Sequence, residues 1–357
     1  MGSCLMFGSK KDIVGIDIGA SAVKLVQLHE GKSGFHLLRL DREPLPPEAV
    51  VDSSIMDSSA VVMAIRDLMT RNHIKAADVA TSVSGHSVII RKISLALMTE
   101  DELENSIQWE AEQYIPFEMS EVFLDYHILG PDPNDQGQME VILIAAKKDF
   151  VDEYVAVFKE SGLNPVIVDV DCFSIENIYC SVYDDESANV VALIDMGASG
   201  IQVNVLKNSV SVFTREIQLG GNSYNEELQK RFGINSEDAE SLKLGADSLS
   251  MDDEAVQDAL QNVTNNLVQE IRRSLDFFSA TFADERVEKV YITGGVSLIT
   301  NIVPSLSEGL DVAVEILDPF SRMTVNEKDF DLDYVKSVAP FFSVAAGLAT
   351  RKLGDKL

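Results

Sequence analysis

The sequence predicts an α/β protein with two lobes built on the same plan. The main observation is an internal repeat, in which VGIDIGASAVKLVQL at residues 14–28 matches ALIDMGASGIQVNVL at residues 192–206. Each copy is an apolar strand with an aspartate near its end, then Gly-Ala-Ser, then a second strand, which is typical of a β-hairpin. The chain has 357 residues, a length that suits two domains. One such hairpin in each half therefore indicates a duplicated lobe.

The composition argues against several classes of protein. The chain has 58 acidic and 29 basic residues and a net charge of −29, whereas binding to nucleic acid or to anionic lipid through the bulk surface requires an excess of lysine and arginine. Three cysteines without CxxC spacing predict a reducing, cytosolic environment. The sequence has no uninterrupted run of about 20 apolar residues, so we predict no membrane span. The five histidines show no zinc-binding spacing.

The region between the two hairpins has a mixed pattern. The predicted elements are a strand at 35–42, a helix at 58–71, strands at 79–83 and 88–93, a helix from 100 to about 114, strands at 122–129 and 140–146, and a helix at 149–161. Thr99 and Glu102 form a capping box that begins the second helix, and Pro116 ends it. The β–α–β–β–α block at about 85–164 is therefore predicted to fold as a small inserted domain.

The second half of the chain repeats a strand-rich start and then becomes helical. After the hairpin, which begins at residue 190, we expect a strand at 209–217, helices at 223–232, 236–244 and 252–283, a strand at 289–293, and an apolar helix at 338–348 that is rich in small residues. Helices that follow strands in both halves fit two α/β lobes.

The repeated hairpin turns carry the chemistry. A Gly-Ala-Ser turn exposes consecutive backbone N–H groups with little side-chain obstruction, which suits a phosphate group. The preceding aspartates, Asp17 and Asp195, are suited to hold hydrated Mg²⁺, because this ion keeps several waters and needs only one or two carboxylates beside the phosphates. Two facing turns, at residues 19–21 and 197–199, would clamp a polyphosphate from both sides.

This pair of hairpins resembles the two phosphate motifs of the superfamily that contains actin, the sugar kinases and the heat-shock ATPases. TGGV at residues 293–296 resembles its adenosine motif, LGGNSYNEEL at 219–228 its segment after the second phosphate motif, and AESLK at 239–243 its helix that holds ribose and base. The resemblance implies a two-lobed actin-like (ribonuclease H-like duplicated) ATPase fold that binds ATP and Mg²⁺. The nucleotide ligands that it implies are Gly19, Ala20, Ser21, Lys24, Gly197, Ala198, Ser199, Gly220, Gly221, Glu240, Lys243, Gly294, Gly295 and Val296, with Mg²⁺ held through water by Asp17 and Asp195.

Some of these assignments, and a further one at Asp171, keep an alternative. Lys24 is either a phosphate ligand or an exposed strand lysine. Glu240 and Lys243, three residues apart on one helix face, are either nucleotide contacts or a surface ion pair. Asp171 begins a predicted connecting helix, where relatives place a longer Glu or Gln that orients the attacking water, so it is either a catalytic residue or a helix N-cap. The sequence thus predicts at most slow ATP hydrolysis.

The inserted block narrows the resemblance further. An FtsA-type 1C subdomain occupies this place in the cell-division protein FtsA and in the PilM family of type IV pilus assembly proteins, and EAEQYIPF at residues 110–117 and the GIDIG start resemble the PilM family most. The subdomains that this implies are a tail at 1–10, 1A at 11–84 completed by 165–188 and 337–357, 1C at 85–164, and a second lobe at 189–336, with 2B at about 221–285.

The same resemblance implies partners and a location. The family binds an N-terminal peptide of the inner-membrane protein PilN in a groove between 1A and 1C, here near Tyr114 and Phe117. Further partners would be the PilN/PilO complex, the pilus ATPases and a second copy of the chain. The chain itself would be cytoplasmic and held at the inner face of the inner membrane through its protein partners. The predicted function is an ATP-binding scaffold of pilus assembly. The alternatives are an FtsA-like filament protein and, with less support from the motifs, a small-molecule kinase.

Overall fold

The computed structural model describes residues 12–75, 77–132, 135–183, 188–245, 253–282 and 285–355. The predicted tail at 1–10 lies outside these residues. The strands are β1 (Val14–Ile18), β2 (Ala22–Gly31), β3 (Gly34–Pro44), β4 (Val50–Val51), β5 (Ser54–Ile55), β6 (Asp78–Val83), β7 (Val88–Ala96), β8 (Val122–Pro131), β9 (Gln138–Lys147), β10 (Asn164–Val170), β11 (Val190–Met196), β12 (Ile201–Lys207), β13 (Val210–Ile217), β14 (Lys289–Thr293) and β15 (Ala313–Ile316). The helices are α1 (Ser58–Arg71), α2 (Glu100–Ala111), α3 (Lys148–Glu160), α4 (Asp171–Val182), α5 (Gly221–Phe232), α6 (Ser236–Lys243), α7 (Asp253–Thr281), α8 (Ile302–Leu310), α9 (Leu332–Val338) and α10 (Ser343–Ala349).

Two five-stranded sheets have the same topology, which confirms the duplicated lobe. The first has the order β10-β6-β1-β2-β3 and the second the order β15-β14-β11-β12-β13. In each, an antiparallel three-stranded meander is extended by two parallel strands on the side of its first strand. The hairpin turns therefore occupy equivalent positions in the two sheets.

Helices α4 and α10 lie between the two sheets. One apolar cluster contains Val26 and Leu28 of the first sheet, Leu193 and Tyr291 of the second, and buried residues of both helices. The backbones approach closely here, since a Cβ on Gly347 of α10 would lie 1.8 Å from the Ser174 carbonyl oxygen of α4. Small residues in α10 therefore allow the two lobes to share one core.

The inserted block forms a three-stranded antiparallel sheet of order β7-β9-β8. Strand β9 buries alternate residues on its two faces. Leu143 and the residues two positions before and after it pack with α2. Ile142 and Ile144, on the other face, pack with Val170 and Phe173 at the start of α4. Helix α3 buries its apolar side chains in the core of the first lobe beside α1.

Most predicted elements are confirmed to within a few residues, and the Thr99 capping box is present. The single helix predicted at 338–348 is wrong. It is divided into the end of α9, a 3-10 turn at Ala339–Phe342 and α10, because Pro340 lacks the N–H that a continuous helix requires. Helix α2 ends at Ala111, three residues before the predicted end. Among the described residues, no helix combines the length and the apolar composition that crossing a bilayer requires.

Candidate functional site

The first hairpin places a lysine directly on its aspartate. Asp17 on β1 is the register partner of Lys24 on β2, so both side chains lie on the same face of the sheet. The Lys24 Nζ donates to Asp17 Oδ2 at 2.7 Å, and the two side chains are only 15% and 10% exposed. Burial is the largest effect and lowers the pKa of Lys24, but Asp17, Asp195 and Asp171 together raise it above its ordinary value. Lys24 is therefore not an exposed strand lysine.

Three carboxylates from both halves of the chain converge on this lysine. Asp171 is the first residue of α4, and Asp195 lies near the end of β11. Both are half-buried, and the surrounding protein atoms desolvate their carboxylates. Burial raises the pKa of Asp171 to about 6 and that of Asp195 to about 7, and repulsion from Asp17 adds to both shifts. Lys24 acts to lower both pKa values, because its ammonium stabilises the ionised form of each acid.

The two Gly-Ala-Ser turns have matching hydrogen bonds. The Gly19 N–H donates to the Ala22 carbonyl at 3.1 Å, and the Gly197 N–H donates to the Gly200 carbonyl at 2.9 Å. The first N–H of each predicted phosphate nest is thus used within its own turn. The next N–H groups, those of Ala20, Ser21, Ala198 and Ser199, make no hydrogen bond within the described part of the chain. Among the described residues of the two turns, these four donors are free to bind an anion.

The predicted ligands Gly220 and Gly221 support the second turn. The first N–H groups of α5, from Gly221 and Asn222, donate to the carbonyls of Gly197 and Ala198 at 2.9 and 2.8 Å. Helix α5 therefore satisfies its N-terminal donors on the turn itself. A Cβ on Gly220 would lie 2.6 Å from the Ala198 carbonyl oxygen, so this contact requires a residue without a side chain.

The predicted adenosine motif adjoins the same aspartate. Gly294 has a φ of 80°, and a Cβ on it would lie 2.5 Å from Asp195 Oδ1. Its N–H donates to the Pro340 carbonyl at 3.0 Å. Val296 is buried and packs beside Gly221, and Gly295 packs against Phe341. The structure thus brings the motif at 293–296 next to the second hairpin.

Glu240 and Lys243 on α6 bond mainly to each other. They form an ion pair, and Glu240 Oε2 also accepts from Asn225 of α5 at 2.7 Å. The Lys243 side chain is 10% exposed and that of Glu240 is 47% exposed. No hydrogen bond links either residue to a hairpin turn among the residues described. The two residues thus form an ion pair, in which Lys243 is mostly buried, and their role as nucleotide contacts stays a prediction.

Two polar side chains at the site are not among the residues predicted from the sequence. Gln202 is the register partner of Asp195, as Lys24 is of Asp17, and its buried Oε1 has no partner in the described residues. Adding the repeat offset of 178 to residue 24 gives 202, so the repeat itself identifies this position. Ser82 at the end of β6 is buried, and its hydroxyl lowers the pKa of Asp171 without making a hydrogen bond of normal geometry.

The predicted groove residues follow α2. Tyr114 is 37% exposed, Ile115 is buried and Phe117 is half-buried. The Lys147 ammonium lies 4.6 Å from the centre of the Phe117 ring. Trp109 on α2 is 76% exposed, which is unusual for a residue of this size. Aromatic surface is thus available on and after α2.

The comparison with known families decides the identity of this fold. A family model described as type IV pilus assembly protein PilM matches residues 15–353. The chain belongs to the PilM family. This membership confirms the resemblance that the sequence shows and the predicted role as an actin-like scaffold protein of type IV pilus assembly.

Solved structures agree with the PilM-family assignment. A chain in the structure of a PilM-PilN type IV pilus biogenesis complex has 29% identity and a TM-score of 0.86, with 97% of this chain and 100% of that chain covered. EutJ from Carboxydothermus hydrogenoformans has 13% identity and a TM-score of 0.58, with 96% and 90% covered. MreB5 of Spiroplasma citri, bound to AMPPNP, has 14% identity and a TM-score of 0.52, with 95% of each chain covered. The last two show the fold alone, and they confirm the actin-like architecture.

Proposed function

We propose that this PilM-family chain binds ATP and Mg²⁺ between its lobes and that the nucleotide sets the shape of a groove for the N-terminal peptide of PilN. The observation that carries the proposal is the convergence of Asp17, Lys24, Asp171 and Asp195 beside two phosphate-nest turns. Through PilN, the chain would be held at the cytoplasmic face of the inner membrane, where the PilN/PilO complex and the pilus ATPases are further partners. The proposed subdomains are 1A, 1C and a second lobe with 2B, at the boundaries predicted from the sequence.

The donor set suits magnesium and a phosphate chain. Three carboxylates and one ammonium leave an excess of negative charge, which a divalent cation balances, and carboxylate oxygen is the ligand that Mg²⁺ prefers. Within the described residues, no three acidic, His or Cys side chains are placed to enclose a metal by themselves. The cation would therefore be held by Asp17 and Asp195 through its waters, and the free N–H groups at 20–21 and 198–199 would bind the phosphates.

Asp171 is the residue best placed to receive a proton during hydrolysis. Its pKa of about 6 leaves it mostly ionised at neutral pH, so it can act as a base. Its short side chain, however, reaches less far than the Glu or Gln of relatives. We therefore propose slow hydrolysis and a nucleotide that acts mainly by favouring one arrangement of the lobes.

Replacing Asp17 or Asp195 by asparagine is expected to weaken binding of Mg-ATP at least about 100-fold, since each change removes one of the charges that balance the cation. Isothermal titration calorimetry on the full chain measures this. The control is Asp67→Asn on the exposed face of α1, which should bind as the unaltered protein does. Unchanged affinity in both site variants, with thermal unfolding intact, would refute the site.

The inserted sheet supports a physical link between the nucleotide site and the groove. One face of β9 packs on α2, which leads into Tyr114 and Phe117, and the other face packs on the first turn of α4. That turn begins with Asp171, so a shift of α4 on nucleotide binding would be transmitted through a single buried strand. Packed interiors resist compression. A shift of α4 must therefore move α2 or be absorbed at the ends of β9.

Tyr114→Ala and Phe117→Ala are each expected to weaken binding of a PilN N-terminal peptide about tenfold or more, because aromatic anchors dominate peptide interfaces. Tyr334→Ala is the matched control, as Tyr334 is also an exposed tyrosine but lies on α9. Calorimetry with and without ATP measures both the affinity and its dependence on nucleotide. A peptide affinity that neither variant changes would place the groove elsewhere.

A further inference from the structure

The two hairpins differ at one position that matters for charge. In the first, the residue opposite the aspartate is Lys24, and in the second it is Gln202. Among the residues that the structure describes, Lys24 is the one ammonium that acts on all three carboxylates, Asp17, Asp171 and Asp195. Gln202 brings no charge, and its buried Oε1 has no hydrogen-bond donor in the described part of the chain. The asymmetry makes Lys24 the local counter-ion for acids from both halves of the molecule.

The Lys24 ammonium also lies against the first phosphate turn. A Cβ placed on Gly19 would be 2.8 Å from Lys24 Nζ. The ammonium thus bonds to the carboxylate of Asp17 and occupies the space that a side chain on Gly19 would need. The lysine side chain is a flexible four-carbon stem. A small change of its rotamer therefore moves the ammonium from the carboxylate toward an anion bound on the turn.

From this geometry we infer that Lys24 takes the place of the divalent cation whenever nucleotide is absent, and that metal enters only together with a phosphate chain that draws the lysine away. This inference rests on the proposed function. An ammonium on the same chain has a high effective concentration at the carboxylates. Free Mg²⁺ must lose water to compete with it and does so reluctantly. A phosphate chain removes the competition, because it gives the ammonium a new partner and supplies oxygen ligands to the metal.

The consequence is a site that responds to nucleotide and not to free magnesium. With Lys24 on Asp17, the acids of the two lobes are partly neutralised and Mg²⁺ alone gains little. With Mg-ATP, both cations would have partners, and Asp17 and Asp195 would hold the metal through its waters. Lobe closure would then depend on the concentration of nucleotide and not on that of magnesium, over the ordinary range of magnesium concentrations.

The test compares Mg²⁺ binding, without nucleotide, to the full-length unaltered protein, K24M and K24R. Calorimetry at constant ionic strength is combined with thermal unfolding. We expect no saturable Mg²⁺ binding to the unaltered protein or to K24R. K24M should be less stable without metal, and it should bind Mg²⁺ saturably, at least about tenfold more tightly than the detection limit set for the unaltered protein, with a matching rise in Tm. K24M that ignores Mg²⁺, or an unaltered protein that binds it without nucleotide as tightly as K24M does, overturns the inference.

Two further measurements keep the result interpretable. If K24M does not fold, electron paramagnetic resonance of Mn²⁺ with the unaltered protein replaces it: we expect Mn²⁺ to be bound only when ATP is added, and equal binding without ATP overturns the inference. Titration of the unaltered protein with ATP in the presence of Mg²⁺ tests the proposed function separately. Absence of ATP binding there refutes the proposed function, whereas Mg²⁺ binding confined to K24M would still support the role of Lys24.

Discussion

Gly347→Ala is expected to lower the free energy of unfolding by at least about 3 kcal/mol. The added methyl group would meet backbone atoms, and no flexible side chain is there to move aside. The added Cβ would lie 1.8 Å from the Ser174 carbonyl oxygen, so α4 and α10 would have to separate. Helix α10 also packs on β1, where a Cβ on Gly15 would lie 2.1 Å from the Ala345 carbonyl oxygen. Neither side of α10 therefore has room for the displacement.

The effect should extend to nucleotide binding. Ser174 lies in the first turn of α4, which begins with Asp171, so a displaced α4 moves a carboxylate of the site. Chemical denaturation measures the loss of stability, and ATP titration of the folded fraction measures the change at the site. Gly137→Ala is the control, because among the described residues its Cβ would meet only the Asp135 side chain, at 3.3 Å. A difference between the two variants below about 1 kcal/mol would contradict the close helix contact.

The duplicated lobe is predictable because the signal is repeated. A strand, an aspartate, Gly-Ala-Ser and a second strand occur twice at one offset, and chance rarely places the same turn chemistry in both halves. The same offset pairs Lys24 with Gln202, although only the register shows that each faces its aspartate. Local rules of turns and periodicity thus predict the frame of the site.

Other elements have no local signal. Strand β15 has four residues, of which only Val314 is buried, so it lacks the alternation that identifies a strand. Helix α8 begins after Asn301 without a side-chain cap and contains Pro304 in its first turn. The sequence predicts neither, because both depend on the sheet and on α7 for their stability.

The site details depend on contacts that are distant in sequence. Ser82 adjoins Asp171 because β6 and β10 are parallel neighbours, and no local pattern connects residues so far apart. The pairing of two lysines is equally hidden in the sequence. Lys24 bonds to Asp17 and Lys243 bonds to Glu240, so both ammonium groups already have a partner before any ligand binds. Residue types indicate which groups can bind nucleotide, whereas the packing decides which of them are already paired.

A second buried ion pair attaches the segment after α10 to the first lobe. Asp169, near the end of β10, has a side chain that is 0% exposed, and Arg351 Nη1 donates to its Oδ2 at 2.9 Å. Burial raises the pKa of Asp169 even though Arg351 acts to lower it. The carboxylate therefore depends on Arg351 to remain ionised inside the protein.

Arg351→Met is expected to cost about 3–5 kcal/mol of stability at neutral pH, because it leaves a buried carboxylate without its partner. The sign of the pH dependence follows from the raised pKa of Asp169. The folded protein binds this proton more tightly than the unfolded chain does, so stability falls as pH rises from the ordinary aspartate pKa through the raised folded-state pKa. Loss of Arg351 raises the folded-state pKa further, so the deficit of the variant should be largest at alkaline pH and should shrink as the pH is lowered.

The double variant Asp169→Asn, Arg351→Met separates the charge from the packing. The amide is neutral, so it should recover much of the stability lost in Arg351→Met and should remove the pH dependence of the deficit. Thermal unfolding of the three proteins between mildly acidic and alkaline pH measures both effects. If the double variant is no more stable than Arg351→Met at alkaline pH, the cost arises from the lost arginine stem and not from an unpaired charge. Arg351 would then hold the segment after α10 through packing. Asp169, which lies two residues before the first residue of α4, would not need a counter-ion.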